Sequence, residues 1–500
     1  MSSSKTSYES LVEKFHRIGV IGDAIAILHW DQATMMPEGS ASQRAEQLAT
    51  LNVLRHEILI KNDICELLDK SLSIQFEKNS WELANLREMK RIHENATALP
   101  VDLVNAQSRA NARCEMEWRG ARKDDDYPRL LPALEEVLKL VREVAMAKSE
   151  ALGMSPYDAL LDTYEPGAKS KEIDIIFAKH AKFLPNFLQE VIEYQRNLPE
   201  LILPKGPFSI ESQMTLGKRL MAAIGFDFDR GRLDISHHPF CGGGSGDIRI
   251  TTRYDIDDFS SSLMGIMHET GHAMYEQGLP KAWHYQPVGA PLGMAIHESQ
   301  SLLIEMQVCR SRSFLNYAGP IMEKVFGKQN DEWGIENLHR IYTRVNPSLI
   351  RVDADEVTYP AHIILRYRLE RALISGDLSL PDLPVAWNDG MKELLGVEPP
   401  NNRLGCLQDI HWPSGDFGYF PTYTMGAMAA AQLYSAAKRD LPCLEVEIEQ
   451  GKFKTLMGWL NKNIYSHGSR FSADQLLKMV TGSFLDPNIF QSHLKNRYLN

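Results

Sequence analysis

Apolar residues recur along most of this chain at intervals of three and four, the spacing that lines one side of a helix. The clearest stripe is Leu134, Val137, Leu138, Val141 and Val144, with charged residues between. From Tyr8 to about Lys70 the same period predicts helices interrupted once, over Trp30 to Gly39, where Pro37 and Gly39 break it. Asn79 to Arg119 reads as helices broken near Leu99-Pro100, Tyr157 to Gly167 ends the next helical region, and Lys171 to Tyr194 is a further helix. Pro291 opens a long helix carrying His297 to Gln300, and Ile350 to about Gly376 predicts another, with Pro360 in its first turns. Gly405 to Trp412 and Phe417 to Thr424 read as loops, and helix returns from Met425 to an amphipathic tail beyond Thr481-Gly482.

The period changes only between Gly231 and Tyr254. Arg232 to Ser236 and Asp247 to Thr252 alternate with period two, which predicts a small hairpin-like sheet with Gly242 to Gly246 in its connection. On the second strand Asp247, Arg249 and Thr251 share one face. The glycine run lacks a P-loop lysine and leads into a strand, so it is discounted as a phosphate loop. The pattern is that of an all-α, mainly helical protein with a small β-sheet. The proline-rich 198–207 stretch is the best linker, marking the passage from one lobe to the other.

Composition narrows the partners. The 54 basic and 65 acidic residues leave a net charge of −11, with no long block of one sign, which argues against nucleic acid and anionic membrane. No apolar run approaches the ~20 residues that cross a bilayer. Six scattered cysteines suggest reduced thiols, and Met1 to Thr6 leads into polar sequence rather than a signal core. A soluble, cytoplasmic protein is expected.

The chemistry concentrates in His268-Glu269-Thr270-Gly271-His272, inside a stretch that Asp257, Asp258 and Ser260 can cap and Gly278 can end. Two histidines four apart project from one face of a helix and can share a metal ion. Glu269, turned aside by about 100°, stays off the metal but within reach of a water there, as a general base must. The pairs at His56, His93 and His297 do not complete this pattern. Catalytic zinc normally takes three protein ligands, and Glu298, on the next helix, is the leading candidate for the third; the metal site falls within 257–310.

Several separate stretches together resemble the M32 metallocarboxypeptidases of the carboxypeptidase Taq type. They are Trp30 to Gly39 with Arg44-Ala45 and Gln47 to Ala49, Tyr157 to Gly167, His238 to Phe240, Asp247-x-Arg249-x-Thr251, the metal helix, His297 to Ser299, Ile350-Arg351 with Ala354-Asp355, and Gly405-x-x-Gln408-Asp409-x-His411-Trp412. The resemblance implies a single catalytic domain over 1–500 with the two-lobed, deep-grooved architecture of neurolysin and angiotensin-converting enzyme. It also implies one zinc ion (cobalt an alternative) on His268, His272 and Glu298, removal of single C-terminal residues from peptides with broad specificity, and a homodimer.

Chemistry adds roles. Tyr423, in a stretch resembling the position of a transition-state tyrosine in related metallopeptidases, is the expected oxyanion donor. Arg351, with Arg249 as runner-up, is the expected anchor for the substrate's terminal carboxylate. His238, His411, Gln408 and Asp409 are expected to shape the closed end of the groove. An internally cutting zinc oligopeptidase would share the metal site but lack a blocked groove. A metal that merely braced the helices would need a fourth protein ligand and no base.

Overall fold

Several helices begin where the chain supplies side-chain acceptors for their unpaired N–H groups. Thr6 and Glu9 form a reciprocal capping box at the start of Ser7–Thr34, and Asp258 accepts from Ser260 N at 2.8 Å to start Phe259–Gly278. The computed structural model describes residues 6–327 and 331–499; the Met1 to Lys5 stretch lies outside them. Among the described residues the chain is helical apart from one three-stranded sheet, and no helix is long and apolar enough to cross a membrane.

The apolar stripes meet in two large cores. One gathers Phe208, Met267, Leu303, Leu433 and Leu460; the other gathers Val141, Phe177, Ile363, Trp387 and Phe420. A small third core joins Leu11, Phe15, Ile64 and Met89 near the N-terminus. The Pro421–Asp440 helix serves both large cores, giving Ala430 and Leu433 to the first and Met428 and Ala431 to the second. It packs along Met294–Leu302, so Glu298 lies where the two cores join.

Four boundaries differ from the sequence reading. Helix Ser7–Thr34 runs through Trp30 and the interruption shrinks to Met35–Pro37, because a proline restrains itself and the residue before it, not a whole segment. The helix from Pro291 divides into Met294–Leu302 and a wider π-helical turn, Leu303–Cys309. Residues 350–358 form a 3₁₀ turn and a bend rather than helix, since the Asp355 carboxylate accepts from the N–H groups of Val357 and Thr358, both at 3.0 Å, and helix starts only at Tyr359 with Pro360 in its first turn. The Phe417 to Thr424 stretch is loop only as far as Phe420, so Tyr423 stands in the first turn of a helix.

The sheet also differs from a hairpin. Strands β1 (Gly231–Ile235) and β3 (Asp247–Thr252) are parallel neighbours, and β2 (Phe240–Gly244) pairs antiparallel to β3 on its other edge. Gly242 to Gly244 are therefore strand, and Ser245-Gly246 make the turn into β3. With no side chains the strand glycines show no alternation to read, yet they fit where others could not: a Cβ on Gly243, at φ +101°, would lie 2.1 Å from the Asp247 carbonyl oxygen. Ile248 and Ile250 are buried, and Thr251 on the opposite face is buried too, taking hydrogen bonds from Ser236 Oγ and Phe240 N.

Candidate active site

Phe259–Gly278 buries Leu263, Ile266 and Met267 in the first core and turns His268 and His272 along one side, ring centroids 5.0 Å apart. Between them Gly271 faces the neighbouring helix; a Cβ there would lie 2.4 Å from the Gln300 carbonyl oxygen. The missing side chain lets the two backbones close. Met294–Leu302 is anchored at its start by the buried Glu165 carboxylate, which accepts from Ala295 N at 2.7 Å, and by Tyr164 O accepting from Met294 N. One helical turn in, Glu298 Oε2 reaches 3.3 Å from His272 Nε2 and 3.8 Å from His268 Nε2.

Ligand bonds of about 2.0–2.2 Å at tetrahedral angles place donor atoms about 3.3–3.6 Å apart. The three donor atoms lie within 4.8 Å of one another, so the set fits a small divalent cation with His, His, Glu chemistry and leaves a side open. Both imidazoles are held from behind. His268 Nδ1 lies 2.9 Å from Glu305 Oε2, and Glu305 accepts from Arg310 at 2.6 Å. His272 Nδ1 lies 2.7 Å from His297 Nδ1, whose Nε2 is 2.9 Å from Glu276. These contacts use the Nδ1 atoms and leave both Nε2 atoms directed at the gap. His297 therefore backs a neighbouring imidazole and stays out of the three-residue cluster.

The electrostatics follow from burial and crowded charge. Burial opposes charge on His268, but Glu298 and the bond to Glu305 raise it to about 10. Burial, helped by His297, lowers His272 to about 4. Burial would raise Glu298 as well, yet His268 and His272 bring it down to about 2. Glu269, beside the first histidine and 6% exposed, is pushed by burial up to about 7.

Gly426 is the counterpart of Gly271 on the other flank: its Cβ would meet the Glu298 side chain at 2.9 Å. Tyr423, three residues earlier, faces the same way, and the charge of Glu298 is felt at the hydroxyls of Tyr423, Tyr419 and Tyr359. Arg351, 7% exposed, lies 5.4 Å from the Tyr423 ring centroid and donates to Asp409 Oδ1 at 3.0 Å and Tyr359 OH at 2.8 Å. The fully buried Arg366 donates to the other Asp409 oxygen at 2.6 Å, while Gln408 accepts from Arg351 N and Arg366 Nη2. Two guanidinium groups thus share one carboxylate, leaving one positive charge beside the tyrosines.

The remaining residues separate. Arg249 pairs with Asp247 at 2.6 Å and lies 4.3 Å over the Trp30 ring, among the sheet and the first helix. His238 is exposed, and among the described residues only its carbonyl is engaged, by Ser236 and Thr251. His411 packs 4.5 Å from Phe420, with burial lowering it to about 4 and its Nδ1 without a hydrogen-bond partner among the described residues. Sequence reasoning missed Glu305, Glu276, Arg366, Tyr359 and Tyr419. For Tyr419 alone there was a signal, the aromatic crowding of Phe417 to Tyr423.

A helical body whose two cores meet at paired histidines and a glutamate, with tyrosines and an arginine alongside, defines a metal-dependent peptidase. The family model for carboxypeptidase Taq (M32) metallopeptidases matches residues 10–498, and the chain belongs to that family. It is 38% identical to thermostable carboxypeptidase 1 of Thermus thermophilus over 99% of this chain and 98% of that one, and 34% identical to carboxypeptidase 1 of Bacillus subtilis over 97% and 96%. Among solved structures it superposes on Trypanosoma cruzi metallocarboxypeptidase 1 with a TM-score of 0.97 at 39% identity, covering 99% of each chain. The M32 carboxypeptidase of Deinococcus radiodurans gives 0.94 at 34%, again covering 99% of each. The protein is a metallocarboxypeptidase, metal-dependent and acting on peptides.

Proposed function

We propose that the protein is a zinc carboxypeptidase of broad specificity that releases single residues from free peptide C-termini. The observation that carries this reading is the convergence of Glu298 Oε2 on the Nε2 atoms of His268 and His272. One zinc ion held there would lower the pKa of a water toward ~7 and polarise the scissile carbonyl. Glu269 takes a proton from the attacking water and passes it to the leaving amine; its burial favours a group that can hold and return a proton near neutral pH. The Tyr423 hydroxyl donates to the oxygen that gains charge as the carbonyl is attacked. Arg351 takes the terminal carboxylate with the positive charge that Asp409 leaves uncancelled. Arg249 is the weaker candidate, because Asp247 already neutralises it and Trp30 covers it.

Gln408 and Asp409 act by holding the two arginines rather than by touching substrate. Zinc rather than cobalt, broad specificity, a single domain and a homodimer rest on the resemblance; a lobe passage near 198–207 rests on its prolines, and a cytoplasmic location on the scattered cysteines. The unpaired state of all six cysteines agrees with the last. The test compares one peptide with a free and an amidated C-terminus, using mass detection of the released residue on zinc-loaded enzyme. Rapid release from the free form alone is expected; equal cleavage of both would overturn the reading.

A further inference from the structure

Away from the metal site, a cavity of about 580 Å³ opens between the end of helix Ser170–Arg196, the 198–203 segment, helix Ile335–Tyr342 and the C-terminal helix Pro487–Tyr498. Five arginines line it, Arg196, Arg312, Arg340, Arg344 and Arg497, against two carboxylates, Glu200 and Glu336. In a chain of net charge −11 this is a local reversal of sign. Gathering like charges around a hollow is unfavourable unless something of opposite sign occupies it.

Of the cavity's own carboxylates only exposed Glu200 pairs with no cation among the described residues, one charge against five arginines. Glu336 is taken by Arg312, and Arg497 is turned to Glu356 and to the carbonyls of Met306 and Gln307. Arg340 gives one nitrogen to the Pro199 carbonyl, while its Nε is buried with no partner among the described residues. Arg196 and Arg344 are exposed and pair with no carboxylate among the described residues. Arg196 and Arg340 sit in the last turns of their helices, where they offset the dipole, but that uses only about half a charge per helix end. Buried His339, on the same wall, is lowered to about 4 by burial and then by Arg312 and Arg497, as a positive surrounding requires.

We propose that this cavity binds a polyphosphate group, free or carried on a nucleoside. Guanidinium forks match phosphate oxygens in pairs, and several of them around one hollow suit an anion of more than one charge. The volume is that of a small-molecule site, and Tyr194, Leu198 and Leu201 give it an apolar wall for an organic moiety. Binding would draw the 198–203 segment, helix Ile335–Tyr342 and the C-terminal helix onto one ligand.

The test titrates full-length, zinc-loaded enzyme with pyrophosphate and separately with ADP by calorimetry at about 0.1 M monovalent salt, with sulfate at equal ionic strength as control. Saturable one-to-one binding with a dissociation constant below about 1 mM is expected, weakened at least about tenfold in the Arg196→Ala/Arg344→Ala double variant. Peptide hydrolysis by that variant without phosphate should be unchanged, and Arg344→Glu alone gives a second reading should the double variant prove unstable. Tighter binding of ADP identifies the nucleoside-borne source, and equal or tighter binding of pyrophosphate the free one. No saturable binding of either probe, binding no stronger than that of sulfate, or full binding in the variants would overturn the proposal.

Discussion

The two halves of the active site are built for opposite charges. Around His268 and His272, the carboxyl groups of Glu269, Glu298, Glu305 and Glu276 face a single guanidinium, Arg310 on Glu305, so the gap is short of positive charge and suits a cation. Around Tyr423, Arg351 and Arg366 share Asp409, so the surroundings are short of negative charge and suit a carboxylate. Both are buried, and each is short of what its ligand brings. Charges left uncancelled in a low-dielectric site interact strongly with an incoming partner of opposite sign. On the proposed reading, a C-terminal peptide laid between the two halves would offer its carboxylate to one and its last peptide bond to the other.

Glu269→Gln should have the largest effect of any single substitution in the metal half. If the metal half only held a cation, removing this charge would leave hydrolysis intact. The proposed base predicts a fall in kcat of about 10²–10⁴-fold, with metal content by mass spectrometry unchanged. Full activity in that variant would sink the mechanism.

Arg351→Ala addresses the other half. Truncating one partner of a buried charge pair at a binding site costs about 2–5 kcal/mol. A loss of roughly 30- to 4,000-fold in kcat/KM follows for peptides with a free C-terminus, with residual cleavage of amidated peptides unaffected. Added metal should not rescue it. An equal loss on both peptide types would assign Arg351 to the fold rather than to recognition.

The two halves also differed in what could be read from sequence. The metal helix carries its determinants within 20 residues: an aspartate cap, an apolar side and two histidines at helical spacing. Glu298 lies on the following short helix and was reached by a different route, the need of catalytic zinc for a third protein ligand. The carboxylate half has no such local grammar. Asp409 meets Arg351 and Arg366 across separations of 58 and 43 residues, and Arg366, in a helix that looks ordinary in sequence, turns out fully buried. Tyr359 is hidden in the same way, because its helix starts later than the periodicity suggested. Strand β2 was illegible for a different reason, since glycines carry no side chains to alternate.

Glu165 tests how the Glu298 helix is fixed. Burial pushes this carboxyl up to about 7, above its ordinary 4.5. The folded state therefore binds a proton more tightly than the unfolded chain, a contribution fully present below pH ~4.5 and lost as pH rises through ~7. Glu165→Gln keeps an oxygen for Ala295 N and removes the titration. Wild type should lose about 3 kcal/mol relative to the variant between those limits, roughly a hundredfold in the folding equilibrium, measured by urea denaturation across pH. Parallel stability profiles for the two proteins would refute the assignment.

The smallest effect expected is at Glu305, and it separates holding a metal from using it. Glu305 accepts from His268 Nδ1 and from Arg310, and it reaches both from the π turn that follows the Glu298 helix. Glu305→Gln keeps the shape and one acceptor but removes the charge that strengthens His268 as a donor of its Nε2 lone pair. Partners of this kind usually contribute about 10–100-fold in metal affinity. Competition with a chelator should therefore show weaker zinc binding by that factor, while kcat at saturating zinc stays within a few-fold of wild type. Arg351→Ala gives the reverse pattern, with normal metal affinity and a loss that zinc cannot restore. Were Glu305→Gln to lower kcat at saturating zinc without weakening the metal, the carboxylate would have to act on the reaction itself, and the division of the site into a cation half and an anion half would fail.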